Sequence, residues 1–138
     1  MTSLAADAPA VPALRQSQFV IVAVLGALFW FVAALLCQVL GPMGALEGAA
    51  RALTYAAVIP GTVPVVLLMQ RAARLRKDQL AAGMAAATAV AALLDGIALA
   101  WFPALYGEGA EQIAASGAVI LWGAGVGMIL GFVFGRGR

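Results

Sequence analysis

Four long apolar runs, 19–40, 52–69, 80–102 and 113–134, leave this chain few ways to fold. Each holds about 18 or more residues, enough as helix to cross a hydrocarbon core about 30 Å thick. Inside such a core a lone segment must satisfy its own backbone, which a helix does and an isolated strand cannot. The composition agrees, with 64% of residues hydrophobic and 10% charged, against roughly 45–50% and about 25% in soluble domains. The sequence therefore predicts an all-α integral membrane protein, four transmembrane helices in an antiparallel bundle with both termini on the same side. One transmembrane domain is expected over 19–134. The first 18 residues, with Pro9 and Pro12 and no periodicity, read as a disordered or interfacial tail, and 135–138 as a short basic tail.

The first run is longer than the roughly 7–15 residues of a signal-peptide core, so it is expected to remain as a span. The stretch AALLC ending at Cys37 resembles a lipoprotein cleavage site, but Leu36 stands where a small residue is required. Basic residues separate cleanly. Arg15 precedes the first run, Arg71, Arg74, Arg76 and Lys77 lie between the second and third, and Arg136 and Arg138 follow the fourth. The opposite connections carry Glu47, Glu108 and Glu111, with Arg51 the one basic residue there. By the positive-inside rule both termini are expected to be cytoplasmic, in a multi-pass protein of a bacterial inner membrane. The RAARLRK cluster then serves as a topology anchor, and no nucleic-acid partner is expected.

The chain has no histidine and one cysteine. An internal disulfide is excluded, and the usual ligands of zinc, copper and haem are missing, so neither metal nor cofactor is expected. Nucleophile pairs that use an imidazole base are excluded too. No catalytic residues are assigned. No duplicated two-helix unit is visible, since the third run is alanine-rich, the fourth glycine-rich and the first two bulkier.

Helical spacing places Gly123, Gly127, Gly131 and Gly135 on one face of the fourth helix. Small-residue rows let helices in lipid approach closely. This row therefore predicts packing against a neighbouring helix, or homo-oligomerisation or a membrane-complex partner through helix four. On the third helix Gly83, Ala87 and Ala91 form a similar row that ends in Asp95, so that acid is expected to face protein. Its height suits partners from the ends of helices one and two. The sequence predicts a polar cluster of Gln38, Arg51, Tyr55 and Asp95. Asp95 then reads either as a proton or cation site or as half of a static pair with Arg51. In the second helix Pro60, Gly61 and Pro64 remove backbone donors and predict a kink, which in some transporters frees carbonyls for a substrate or ion. Trp30 and Trp122 read as packing residues, and Trp101 and Tyr106 as an interfacial belt.

The segment LLDGIALAWFPALYGEGAEQIAASGAVILWG, Leu93 to Gly123, resembles a small bacterial membrane-protein family catalogued as a domain of unknown function, number 5367. The likeness rests on the Asp-Gly pair, the Phe-Pro ending, the acidic turn and the Leu-Trp-Gly stretch, extends to the Trp30 region of the first helix, and covers about half of the chain. The family carries an arginine near the end of its first helix where this chain has Cys37 and Gln38. The resemblance implies the four-helix fold and no particular activity. The expected function is a non-enzymatic accessory or structural subunit acting through helix packing. The alternative is a proton-coupled small-solute carrier or channel using Asp95 and the kinked second helix.

Overall fold

The computed structural model describes residues 12–137. It is all-helical: α1 spans Gln16–Leu40, α2 Gly48–Ala72, α3 Lys77–Trp101 and α4 Ala110–Gly135, with a 3-10 turn at Pro103–Tyr106 between the last two. All four α-helices are long and apolar enough to cross a membrane. Each begins about three residues before its apolar run, because polar and small residues that hydropathy leaves out form the first turn. Gln18, placed by sequence in the tail, belongs to α1 and is buried. Gln16 and Ser17, also placed in the tail, belong to α1 as well; tail positions 1–11, and Arg138, lie outside the described residues.

The beginnings of α1 and α3 are built alike. Gln18 Oε1 accepts the Arg15 N–H at 3.0 Å, and Gln79 Oε1 accepts the Arg76 N–H at 3.1 Å. Each glutamine thus satisfies one orphan donor at its own helix start. Each also reaches across to the other helix: Gln18 Nε2 donates to the Arg74 carbonyl at 3.1 Å and Gln79 Nε2 to the Ala13 carbonyl at 3.1 Å, while the two amides bond each other at 3.2 and 3.3 Å. Every member of this set has its counterpart 61 residues along the chain. The arrangement is a local pseudo-twofold.

The same spacing runs through the sequence without a gap. Leu14-Arg15 and Gln18 return as Leu75-Arg76 and Gln79, Pro42 as Pro103, Glu47-Gly48-Ala49 as Glu108-Gly109-Ala110, and Ala57-Val58-Ile59 as Ala118-Val119-Ile120. Gly48 and Gly109 both sit at positive φ, 47° and 81°, where α2 and α4 begin. A left-handed residue of this kind is costly for anything but glycine or asparagine. The chain is therefore a repeated helical hairpin, contrary to the reading from composition. Apolar interior positions exchange freely in such helices, so the repeat persists mainly where caps and turns constrain the residue.

The two halves pack differently. α3 lies against both α1 and α4, and α2 leans on α4 while barely touching α1, giving the order α1, α3, α4, α2 across the molecule. The neighbours α1 and α3 run parallel, as do α2 and α4. Successive helices alternate in direction as expected, but of the closely packed pairs only α3–α4 is antiparallel. Close approach explains the α1–α3 seam: a Cβ on Gly26 would fall 2.6 Å from the Ala87 carbonyl oxygen. Val22, Val66, Met69, Leu80 and Met84 form the main core beside that seam. Elsewhere large apolar side chains point outward, Leu53, Leu93 and Leu121 being 71–75% exposed, a surface suited to hydrocarbon.

The glycine row of α4 is occupied within the chain. Gly123 faces Val58 of α2, Gly127 lies against Met84 and Thr62, Gly131 against Met84 and Ala81, and a Cβ on Gly135 would come 2.9 Å from the Lys77 carbonyl. Association through helix four would have to use its other face, with Leu121, Ile129 and Phe132.

Gly26→Ala is expected to destabilise the protein by about 1–3 kcal/mol, since backbone at Ala87 must move. At Gly125, where a Cβ would meet nothing within 4 Å, alanine is expected to be neutral or to stabilise by up to about 1 kcal/mol through helix propensity. Denaturant titrations of the two variants in detergent check the contrast.

Candidate functional site

The polar centre of the described structure is built on Asp95, near the acidic end of the bundle. α3 carries it on the face toward α1, continuing the buried row of Gly83 and Ala87. From α1, Trp30 donates its indole N–H to Asp95 Oδ1 at 2.8 Å and shares that hydrogen with Tyr106 Oη at 3.1 Å. The Tyr106 hydroxyl donates to the same Asp95 oxygen at 2.5 Å. Asp95 is half-buried and Tyr106 fully buried.

Tyr106 reaches this position because α3 stops at Trp101. Pro103 cannot extend the hydrogen-bond ladder, and the chain folds into the short 3-10 turn, with the Leu105 N–H on the Phe102 carbonyl at 3.0 Å. The turn drops Tyr106 back among Ala34, Ala98 and Trp30. Ser116 of α4, also buried, then donates its hydroxyl to the Tyr106 carbonyl at 2.9 Å. Gly107 completes the turn at φ 140°, and any Cβ there would fall 2.2 Å from the side chain of Gln112. Burial first, and then the hydrogen bond to Asp95, push the Tyr106 hydroxyl above its usual range. It stays protonated and donating at ordinary pH.

The structure separates the residues that the sequence grouped. Arg51 is exposed and its Nε donates to the Leu46 carbonyl at 2.8 Å; no ion pair joins it to Asp95 among the described residues. Tyr55 packs its ring on Trp122, 5.5 Å between centroids, and its carbonyl accepts the Trp122 indole N–H at 3.0 Å. Gln38 is exposed and donates to the Ala104 carbonyl at 3.3 Å. The reason is the packing order: α2 sits against α4, so its first turns are carried away from α3. Of the four residues, Arg51 and Tyr55 come together and Asp95 and Gln38 do not join them.

Pro60, Gly61 and Pro64 lie in an unbroken helical segment and are exposed. Thr62 donates to the Val58 carbonyl at 2.7 Å, which is not one of the carbonyls that the prolines release. The segment faces outward and is not joined to the Asp95 site.

Sequence reasoning missed Trp30 and Tyr106. Aromatic residues near span ends usually read as packing or interfacial residues, and only the fold shows a tyrosine turned inward. The repeat adds one signal. The counterparts of Trp30, Asp95 and Tyr106 at the 61-residue spacing are Ala91, Ala34 and Ala45, so the site is built between the two halves and the position related to it by the repeat is blank.

Comparison with protein-family models, with curated proteins and with solved structures finds no match to this chain.

Asp95→Asn keeps an oxygen able to accept from both donors, so a small loss of stability is expected. Asp95→Leu strands the Tyr106 hydroxyl at about 1–3 kcal/mol and leaves the Trp30 indole only its longer bond to Tyr106 Oη. Tyr106→Phe is expected to lie between them, at about 1 kcal/mol. Unfolding midpoints of the three variants in detergent test this order.

Proposed function

We propose that this chain is a small polytopic membrane protein that works through helix packing, as an accessory or structural subunit of a cell membrane. The observation that supports the reading best is the use made of its intrahelical polar groups. Asp95, Trp30 and Tyr106 tie α1, α3 and the 3-10 turn together, Gln18 and Gln79 tie α1 to α3, and Ser116 ties α4 to the turn. The glycines do the same through close contact. In this reading the four helices cross a bacterial inner membrane with the basic end and both termini in the cytoplasm, supported by the charge separation between the two ends. The likeness of 93–123 to the uncharacterised family named above belongs to the same proposal.

The second reading is the proton-coupled carrier. What favours it is that Asp95 takes both hydrogen bonds on Oδ1, leaving its second oxygen for a proton or cation. Against it stands the distance in the fold between this acid and the proline segment of α2, since α2 and α3 touch little.

Proteoliposomes loaded with a pH-sensitive dye distinguish the two. With packing as the function, an imposed pH gradient decays at the same rate with wild type and with Asp95→Asn. A decay that is faster with wild type and lost in the variant would replace the packing reading with the carrier.

A further inference from the structure

Away from Asp95, the first turns of α2 and α4 surround a cavity of about 290 Å³. Glu47, Arg51 and Tyr55 line it from the α2 side and Glu111 and Gln112 from α4, over a floor of alanines. Arg51 and Gln112 occupy equivalent places in the 61-residue repeat, so the cavity lies where the two halves meet. Its size is at the lower edge of the roughly 300–1,000 Å³ of small-molecule sites, fitting a headgroup better than a drug-sized ligand.

The charges around it are not spent on one another. Among the described residues Arg51 forms no ion pair with Glu47 or Glu111. The bond from its Nε to the Leu46 carbonyl fixes the guanidinium and leaves its two terminal nitrogens to donate. Gln112 Oε1 accepts the Glu108 N–H at 3.3 Å, while its Nε2 is buried with no partner. Each wall of the cavity therefore pairs a carboxylate with a donor, Glu47 with Arg51 on α2 and Glu111 with Gln112 on α4, so that an anion held by Arg51 lies within a site whose two carboxylates suit a cation. A guanidinium suits a phosphate, which it can hold through two parallel bonds.

We propose that this cavity binds the headgroup of a zwitterionic phospholipid bearing a primary ammonium, of the phosphoethanolamine type. The phosphate sits against Arg51 and the ammonium against Glu47 and Glu111. A lipid is the occupant because the cavity lies at the level where α2 and α4 begin, beside long helices with outward apolar side chains such as Leu53. Acyl chains have a surface to follow from there. The inference rests on the membrane reading above and adds a ligand to it.

The test uses the full chain in detergent, exposed to equal amounts of phosphatidylethanolamine, phosphatidylcholine and phosphatidylglycerol, with bound lipid counted by native mass spectrometry. Phosphatidylethanolamine is expected to be retained roughly fivefold over the other two, about 1 kcal/mol of preference. Arg51→Ala should abolish that preference, and Glu47→Gln with Glu111→Gln should turn it toward phosphatidylglycerol; circular dichroism verifies that both variants fold. Equal retention of the three lipids, or a preference that survives both variants, overturns the proposal. Displacement by free phosphoethanolamine as effectively as by the lipid overturns a lipid occupant. Liposome flotation separates the two levels: a chain that fails to float overturns the membrane reading as well, and one that floats without lipid preference overturns this proposal alone.

Discussion

The seam between α1 and α3 is the contact on which the rest of the structure depends. On the membrane reading, helices surrounded by hydrocarbon gain little from burying more hydrocarbon, so close packing and hydrogen bonds decide which of them associate. Gly26 gives the close approach, laying α1 on the backbone at Ala87. The reciprocal glutamines secure one end of the seam, and Trp30 on Asp95 secures it toward the other. α4 then docks on the far side of α3 through its own glycines, and α2 is held through α4.

This order of attachment explains how a repeated hairpin comes to have unlike halves. The helix starts retain the repeat because capping geometry admits few residues there. Between the ends, a change from one apolar residue to another costs little. Trp30 of the first half with Asp95 and Tyr106 of the second form a polar centre, while their counterparts Ala91, Ala34 and Ala45 leave the related position plain. That centre fastens α1, α3 and the 3-10 turn together, and nothing comparable fastens α1 to α2. α2 is accordingly the least enclosed helix, with Val66 and Met69 its buried residues.

Much of the architecture was legible in the residues. Length and hydropathy alone place four helices, and the row from Gly83 to Asp95 points the acid toward protein. The error in the Asp95 cluster came from the assumption that helices adjacent in sequence are adjacent in space. Arg51 was at a suitable height but on a helix that packs elsewhere. Tyr106 was misplaced for a different reason: Pro103 shows that α3 must stop, yet the direction in which the chain then turns depends on Ser116 and Gln112 of a later helix. The repeat went unseen because it is carried by about ten residues, most of them at caps and turns, scattered among interchangeable apolar ones.

By itself the sequence determined the number of helices, their approximate limits, the contrast between a basic and an acidic end, and the glycine faces able to pack. These follow from local chemistry: hydrogen bonding within a segment, the length of an apolar run, and side-chain spacing on a helix. Only the tertiary structure decided that α1 neighbours α3 instead of α2, that Asp95 meets an indole and a phenol instead of a guanidinium, and that Arg51 and Gln112 share a cavity. Those outcomes depend on which of several similar small-residue faces fit together best, and that choice is made by the shapes of whole helices, which no single stretch of chain contains.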